Sequence, residues 1–184
     1  MAVRGIQRFF TRYPIAANGV SGGTFAIVGD VATQKGIEGC DSSKGRGLDL
    51  RRVGAMALFG LFYTGPVCHT LYSSYASVLP AALLRRRGGE ALGSTLLDNF
   101  VHLPVLYVPA FYIGVGFMQG QSRAKVEGEL RARYSETLLT SWGYWVPFMA
   151  TNFAVVPPHL RTIVMQCGNL VWSGIISFIS HRQL

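Results

Sequence analysis

Five polar residues lie within or at the ends of long uncharged stretches, where each could do chemistry that its apolar neighbours cannot: Asp30, His69, Asp98, Asn152 and Arg161. One hypothesis is that Asp98, Asn152 and Arg161 line a polar pathway for a small solute or an ion. The favoured alternative is that such residues anchor helix ends and bond the carbonyls that nearby prolines leave free. Under either hypothesis a charge inside a helical bundle needs a partner, because burying it alone costs several kcal/mol.

His69 follows the Gly65-Pro66 pair by one helical turn. Because proline lacks an amide and kinks a helix, we expect His69 to make a structural hydrogen bond there rather than to relay protons. The 4 histidines and 3 cysteines are too scattered to predict a metal site. No phosphate-binding loop, nucleophile elbow or carboxylate pair beside a base is present. We therefore predict that the protein is not an enzyme. The only bound molecule that we expect is a phospholipid, for which cardiolipin is one candidate.

The composition indicates a membrane environment. Hydrophobic residues make up 49% of the 184 residues and charged residues only 14%, whereas a soluble domain carries about 25% charged residues. Lys and Arg number 17 against 9 Asp and Glu, and they lie between apolar runs rather than along one aromatic-interleaved stripe. This distribution favours anionic lipid headgroups over nucleic acid as the partner. The predicted headgroup contacts are Arg4, Arg8, Arg12, Arg85, Arg86 and Arg87.

The N-terminal stretch 1–13 carries three arginines at four-residue spacing and no acidic residue. A helix with this pattern is typical of a mitochondrial targeting segment. It is equally typical of a basic amphipathic stretch that lies on the membrane surface beside the first span. Both interpretations place the chain at a membrane.

Five apolar runs suggest the elements that position the polar residues: 13–29, 53–80, 99–122, 137–160 and 162–181. The first run is short and prolines interrupt three others, so we predict an all-α integral membrane protein with about four transmembrane helices in a single domain, 1–184. Lys and Arg are spread evenly over the connections, so no orientation is predicted. Within the first run, Gly19 and Gly23 form a small-x-x-x-small pair that predicts the close approach of another helix.

The segment 123–136 differs in kind, because its charges are mixed and closely spaced. It predicts a short polar helix that separates the third span from the last apolar region. That last region is rich in aromatic residues. Trp142, Trp145 and Trp172 are most simply interfacial residues, whose rings lie at headgroup level.

The last apolar region also holds a spaced series of aromatic, amide, proline and basic residues: Trp142, Trp145, Asn152, Phe153, Val156, Pro157, Arg161 and Trp172, followed by Ser177. Shorter elements precede it in order: Gly29-Asp30 with Gln34, Gly65-Pro66 with His69 and Tyr72, and Asp98 with Pro104. In these motifs the chain resembles the Mpv-seventeen / twenty-two-kilodalton peroxisomal membrane protein family. Members of that family are small four-span membrane proteins.

The resemblance implies a multi-pass protein of the mitochondrial inner membrane, with the peroxisomal membrane as the alternative location. The chain departs from the family pattern at Leu71, where the family has Trp, and at Asn99, where it has Gln. Drift at polar positions can preserve a fold while the activity is lost. We therefore expect a non-catalytic accessory subunit of a large respiratory or ATP-synthesising membrane complex, with membrane lipids and other membrane subunits as partners. The alternative is a channel-like protein that permeates small solutes or ions.

Overall fold

A computed structural model describes residues 12–40, 47–155 and 161–181, and every regular element in those ranges is helical. The helices are α1 (Pro14–Gly36), α2 (Leu50–Phe59), α3 (Cys68–Val78), α4 (Ala81–Leu84), α5 (Gly89–Leu97), α6 (Val108–Met118), α7 (Arg123–Val155) and α8 (Arg161–His181). Two wider, π-helical segments, Gly60–Val67 and Asp98–Tyr107, join α2 to α3 and α5 to α6. The prediction of an all-helical fold is confirmed for these ranges. Most of the N-terminal stretch 1–13, with Arg4 and Arg8, lies outside the described residues.

The two wide segments coincide with prolines. Pro66 and Pro104 lie inside them, and both prolines remain within a helical path. A wider turn accommodates a proline because the ring no longer clashes with the carbonyl four residues back. The kink predicted at Gly65-Pro66 is therefore a local widening of the helix that begins at Leu50 and ends at Val78.

The polar segment 123–136 is not a separate short helix, and that prediction is wrong. Residues 123–155 form one helix of 33 residues, because no glycine or proline breaks it between the polar and the apolar half. Arg123 donates to Glu127 at 2.8 Å one turn later, which supports the exposed first turns of α7. The Arg123 guanidinium also holds the pKa of Glu127 below its ordinary value.

The helical stretch Gly89–Met118, comprising 30 residues, is the one helix in the described ranges that is both long and apolar enough to cross a membrane, with a mean hydropathy of 1.6 in its most apolar window. The predicted bundle of four spans is thus not confirmed. Helix α1 is long enough, yet its many small and polar residues, Asn18, Ser21 and Thr24 among them, lower its hydropathy.

Close backbone contacts hold α1 at the centre of the fold. A Cβ added to Gly60 would lie 2.5 Å from the Gly22 carbonyl oxygen, and one added to Gly19 would lie 2.7 Å from the Leu61 carbonyl oxygen. On the other side of α1, a Cβ at Gly29 would lie 2.8 Å from the Gly174 amide nitrogen in α8. The close approach predicted from the glycines of α1 is confirmed, and α1 packs between the first wide segment and α8.

Candidate functional site

A buried ion pair joins α1 to α2. Asp30 is fully buried and Arg52 is 4% exposed, and Arg52 Nε donates to Asp30 Oδ1 at 2.6 Å. The prediction that a buried charge would have a partner is confirmed for Asp30. Sequence reasoning missed Arg52, because this residue stands just before the apolar run 53–80 and resembled one more cation of a connecting loop.

The remaining guanidinium nitrogens of Arg52 are also bonded. Nη1 donates to Glu38 Oε2 at 2.9 Å, and Nη2 donates to the Ser177 hydroxyl at 2.8 Å. Ser177 belongs to α8, and its hydroxyl also donates to Asp30 Oδ1. One arginine fork thus fastens three helices together, as its fixed planar set of donors allows. We call Asp30, Gln34, Glu38, Arg52 and Ser177 the ion-pair cluster.

Gln34 completes the cluster. Its position four residues after Asp30 places both side chains on one face of α1. Its side-chain nitrogen donates to Asp30 Oδ2 at 2.9 Å, and its oxygen accepts from the Asp49 amide at 2.8 Å. Asp49 is in turn the N-cap of α2, because its carboxylate accepts from the Arg52 amide at 2.9 Å. Through its bond to Asp49, Gln34 therefore stabilises the start of α2. Asp30 thus connects α1 with α2 and α8 through its hydrogen bonds.

A second site, the central cavity, lies between the helices and has a volume of about 620 Å³. Helices α1, α5, α7 and α8, together with both wide segments and the helices next to them, contribute side chains to its wall. The polar residues of the wall are Asn18, Thr64, His69, Tyr75, Ser94, Thr95, Asp98, Asn99, His102, Tyr107, Asn169 and Ser173. Two of the sequence-predicted residues, His69 and Asp98, are therefore in the wall of one cavity.

Asp98 is the acceptor of a short hydrogen-bonded chain in that wall. His102 Nδ1 lies 2.7 Å from Asp98 Oδ1, and the Tyr75 hydroxyl donates to the same oxygen at 3.0 Å. The Tyr63 hydroxyl lies 3.1 Å from His102 Nε2. Sequence reasoning missed all three partners, although the spacing of four residues between Asp98 and His102 places both on one helix face.

The carbonyls affected by proline are bonded by aromatic side chains of α7. In a π-helical turn the amide of residue i donates to the carbonyl of residue i−5. Pro104 has no amide hydrogen, so it cannot donate to the carbonyl of Asn99. The Trp142 indole nitrogen donates to the Asn99 oxygen at 2.8 Å instead. The Tyr134 hydroxyl likewise donates to the Pro104 oxygen at 2.8 Å, five residues before Pro109. Near Pro104, aromatic residues thus perform the carbonyl bonding that was predicted for Asp98, whereas Pro157 lies outside the described residues.

The interfacial position predicted for Trp172 is wrong. This residue is 5% exposed, and its indole nitrogen donates to the Tyr107 hydroxyl at 3.3 Å inside the bundle. An internal acceptor allows an indole to be buried, so Trp172 packs in the core. Trp142 and Trp145 are partly buried, and Trp145 lines the central cavity.

The other predicted residues are distributed as follows. Asn152 is 1% exposed within α7 and is not in the cavity wall. Arg161 begins α8, and its side chain lies outside the described part. Arg12 and Arg85 to Arg87 are exposed, so their contact with headgroups stays a prediction. In the described ranges no three metal-ligating side chains come together.

Comparison with known proteins finds similarity to one family. The sequence model of the family described as Mpv17 / PMP22 matches residues 116–177 of this chain. The chain is 28% identical over 182 residues to the mitochondrial inner membrane protein Mpv17 of Bos taurus, and 27% identical over 182 residues to that of Homo sapiens, with 97% of each chain covered in both comparisons. It is 24% identical over 161 residues to Protein SYM1 of Mycosarcoma maydis, covering 88% of this chain and 77% of that one. No solved structure matches. The resemblance predicted from the motifs is confirmed.

Replacing Arg52 by leucine should destabilise the protein by about 3–5 kcal/mol, because Asp30 would be left charged and unpaired in the interior. Arg131→Leu is the matched control, since Arg131 lies exposed on α7 and a surface change of this kind shifts stability by roughly 0.5 kcal/mol or less. Thermal unfolding in detergent micelles measures both variants. Equal unfolding temperatures for the two variants would contradict the role assigned to the ion-pair cluster.

Proposed function

We propose that this chain, which is similar to proteins of the Mpv17 / PMP22 family, is a mitochondrial inner membrane protein through whose central cavity small solutes pass. The named relatives Mpv17 are mitochondrial inner membrane proteins. The proposal names no catalytic role for any residue. Its partners are the membrane lipids, with Arg85 to Arg87 as headgroup contacts and phospholipid as the bound molecule.

The observation that carries the proposal is the central cavity. Its volume of about 620 Å³ falls within the range of roughly 300–1,000 Å³ that is usual for small-molecule sites. Its wall combines aromatic faces with a few convergent polar groups, among them Asp98, His69 and Asn169. This combination of size and lining is typical of a small-molecule site.

The outer face of the helical stretch Gly89–Met118 supports membrane insertion. After Glu90 in its first turn, its exposed large side chains are apolar: Leu92, Leu96, Phe100, Val101, Val105, Leu106, Ile113, Phe117 and Met118. Its polar side chains, including Asp98 and His102, lie against the cavity instead. This division suits a helix with lipid on one side and a polar interior on the other.

A second, mostly apolar pocket adjoins the central cavity. It has a volume of about 660 Å³ and shares Ala91, Thr95, Asn99 and Met149 with the central cavity. Arg87, one of the exposed arginines between α4 and α5, lines it. The two cavities together supply a route from the bundle interior toward the arginine-rich turn.

The accessory-subunit hypothesis is the second candidate. The sequence favours it through the departures at Leu71 and Asn99. In the structure Asn99 uses its side-chain amide locally, donating to the Thr95 carbonyl at 3.0 Å, and this use does not require a solute. The large apolar side chains exposed on the bundle would contact either lipid or neighbouring subunits.

Filling the cavity should block passage. Ser94 lines the central cavity, and Ser94→Phe would place a ring where the solute must go. We expect at least tenfold slower release of a labelled neutral sugar alcohol from vesicles that contain the full-length variant than from vesicles with the wild-type chain. Ser135→Phe is the matched control, because Ser135 is exposed on α7 and lies outside the wall. Equal release by the two variants, or no release by the wild type, would refute the proposal.

Native gel electrophoresis of gently solubilised mitochondrial membranes separates the two candidate functions. If the chain acts by itself, most of it should migrate as a small species, apart from the respiratory and ATP-synthesising assemblies. Quantitative comigration with one of those assemblies, retained after a second detergent, would favour the accessory subunit instead.

A further inference from the structure

The charge balance of the central cavity is one-sided. Asp98 is the only carboxylate in its wall, and no lysine or arginine lines it in the part of the chain that the structure describes. The nearest lining cation, Arg87, belongs to the adjoining cavity. A negative charge in a wall of low polarity attracts cations and repels anions, because the field is poorly screened there.

The geometry of Asp98 leaves acceptor capacity for a ligand. Both hydrogen bonds from His102 and Tyr75 end on Oδ1, while the side chain is 30% exposed. An ionised carboxylate offers about four lone-pair positions on two oxygens. The second oxygen, Oδ2, is thus available to a donor that enters the cavity.

Asp98, His102 and Tyr63 form one hydrogen-bonded chain. Asp98 is an acceptor, so His102 carries its ring proton on Nδ1. The Tyr63 hydroxyl then donates to Nε2 of the same ring. One tautomer of His102, with its proton on Nδ1, satisfies both contacts.

Aromatic rings line the cavity beside His102, the hydrogen-bond partner of this carboxylate. The Tyr107 ring centroid lies 6.3 Å from that of His102 and 5.8 Å from that of Tyr63, and the Phe59 ring lies 5.9 Å from that of Tyr107. Ring faces stabilise an organic ammonium ion, which is weakly hydrated along its carbon chain. A metal ion would instead need several oxygen, nitrogen or sulfur ligands, and the described side chains bring no three of them together.

We propose that Asp98, together with the rings of Tyr107 and Phe59, which line the same cavity, forms a binding site for a small primary ammonium ion with a short apolar chain. The ammonium group donates to Asp98 Oδ2, and the chain packs against the rings. The assignment rests on the proposed passage of solutes through this cavity and names the class of solute that the cavity holds best.

Isothermal titration calorimetry on the purified full-length chain in detergent micelles tests this site, with empty micelles as the blank. The probes are butylammonium chloride, butanol and sodium butyrate, which share a chain length and differ in charge. We expect butylammonium to bind at least tenfold more tightly than either of the others. This series uses the wild-type chain, so its result does not depend on how well a variant folds. Equal affinity for all three probes, or tighter binding of butyrate, would overturn the proposal.

Two variants of the same helical stretch locate the site. Asp98→Asn keeps the shape of the side chain and removes its charge, and it should weaken butylammonium binding at least tenfold. Glu90→Gln removes an exposed charge from the start of α5, outside the cavity wall, and should leave binding unchanged. Undiminished binding by Asp98→Asn would place the ammonium ion elsewhere and overturn the assignment.

Flux through vesicles separates this site from the proposed function. Selective butylammonium binding without release of any solute would support the site and refute passage. Release of solutes without a preference for butylammonium in the binding assay would support passage and refute the site.

Discussion

The buried pair of Asp30 and Arg52 is the contact on which the arrangement of the bundle depends. Desolvating two charges is expensive, and their attraction offsets that expense only when the geometry is good and the remaining polar atoms are bonded. Here Gln34 and Ser177 bond Asp30, and Glu38 and Ser177 bond Arg52. The same side chains hold α1, α2 and α8 in one relative position, and these three helices form one side of the central cavity.

Two prolines shape the helices on the other side of the cavity. Pro66 and Pro104 widen the two helices that face each other across it, and the widened turns aim Tyr63 and His102 at each other. Helix α7 closes this side, since Trp142 and Tyr134 bond carbonyls of the second wide segment. Three features therefore determine the shape of the cavity: the ion pair, the wide turns and the hydrogen bonds from aromatic side chains of α7.

The sequence predicted the helical class, the approach of another helix to α1 and the need of Asp30 for a partner, because each follows from local composition or spacing. It did not predict Arg52 or the contact of Ser177 with Asp30, since these residues lie 22 and 147 positions from Asp30 and only folding brings them together. Trp172 was misplaced because its acceptor, Tyr107, is 65 residues away. The continuity of α7 was missed because a change in polarity was taken for a change of element.

The proposed function requires that water reaches the central cavity inside this protein. Cysteine accessibility in reconstituted vesicles measures this directly, with Cys40, Cys68 and Cys167 replaced by serine and Ser94→Cys as the only thiol. A small, membrane-impermeant methanethiosulfonate should modify Ser94→Cys rapidly, because position 94 lines the cavity. Ser141→Cys, at a fully buried position outside the wall, should stay unmodified. If both positions resist the reagent equally, water does not reach the cavity and the account is contradicted.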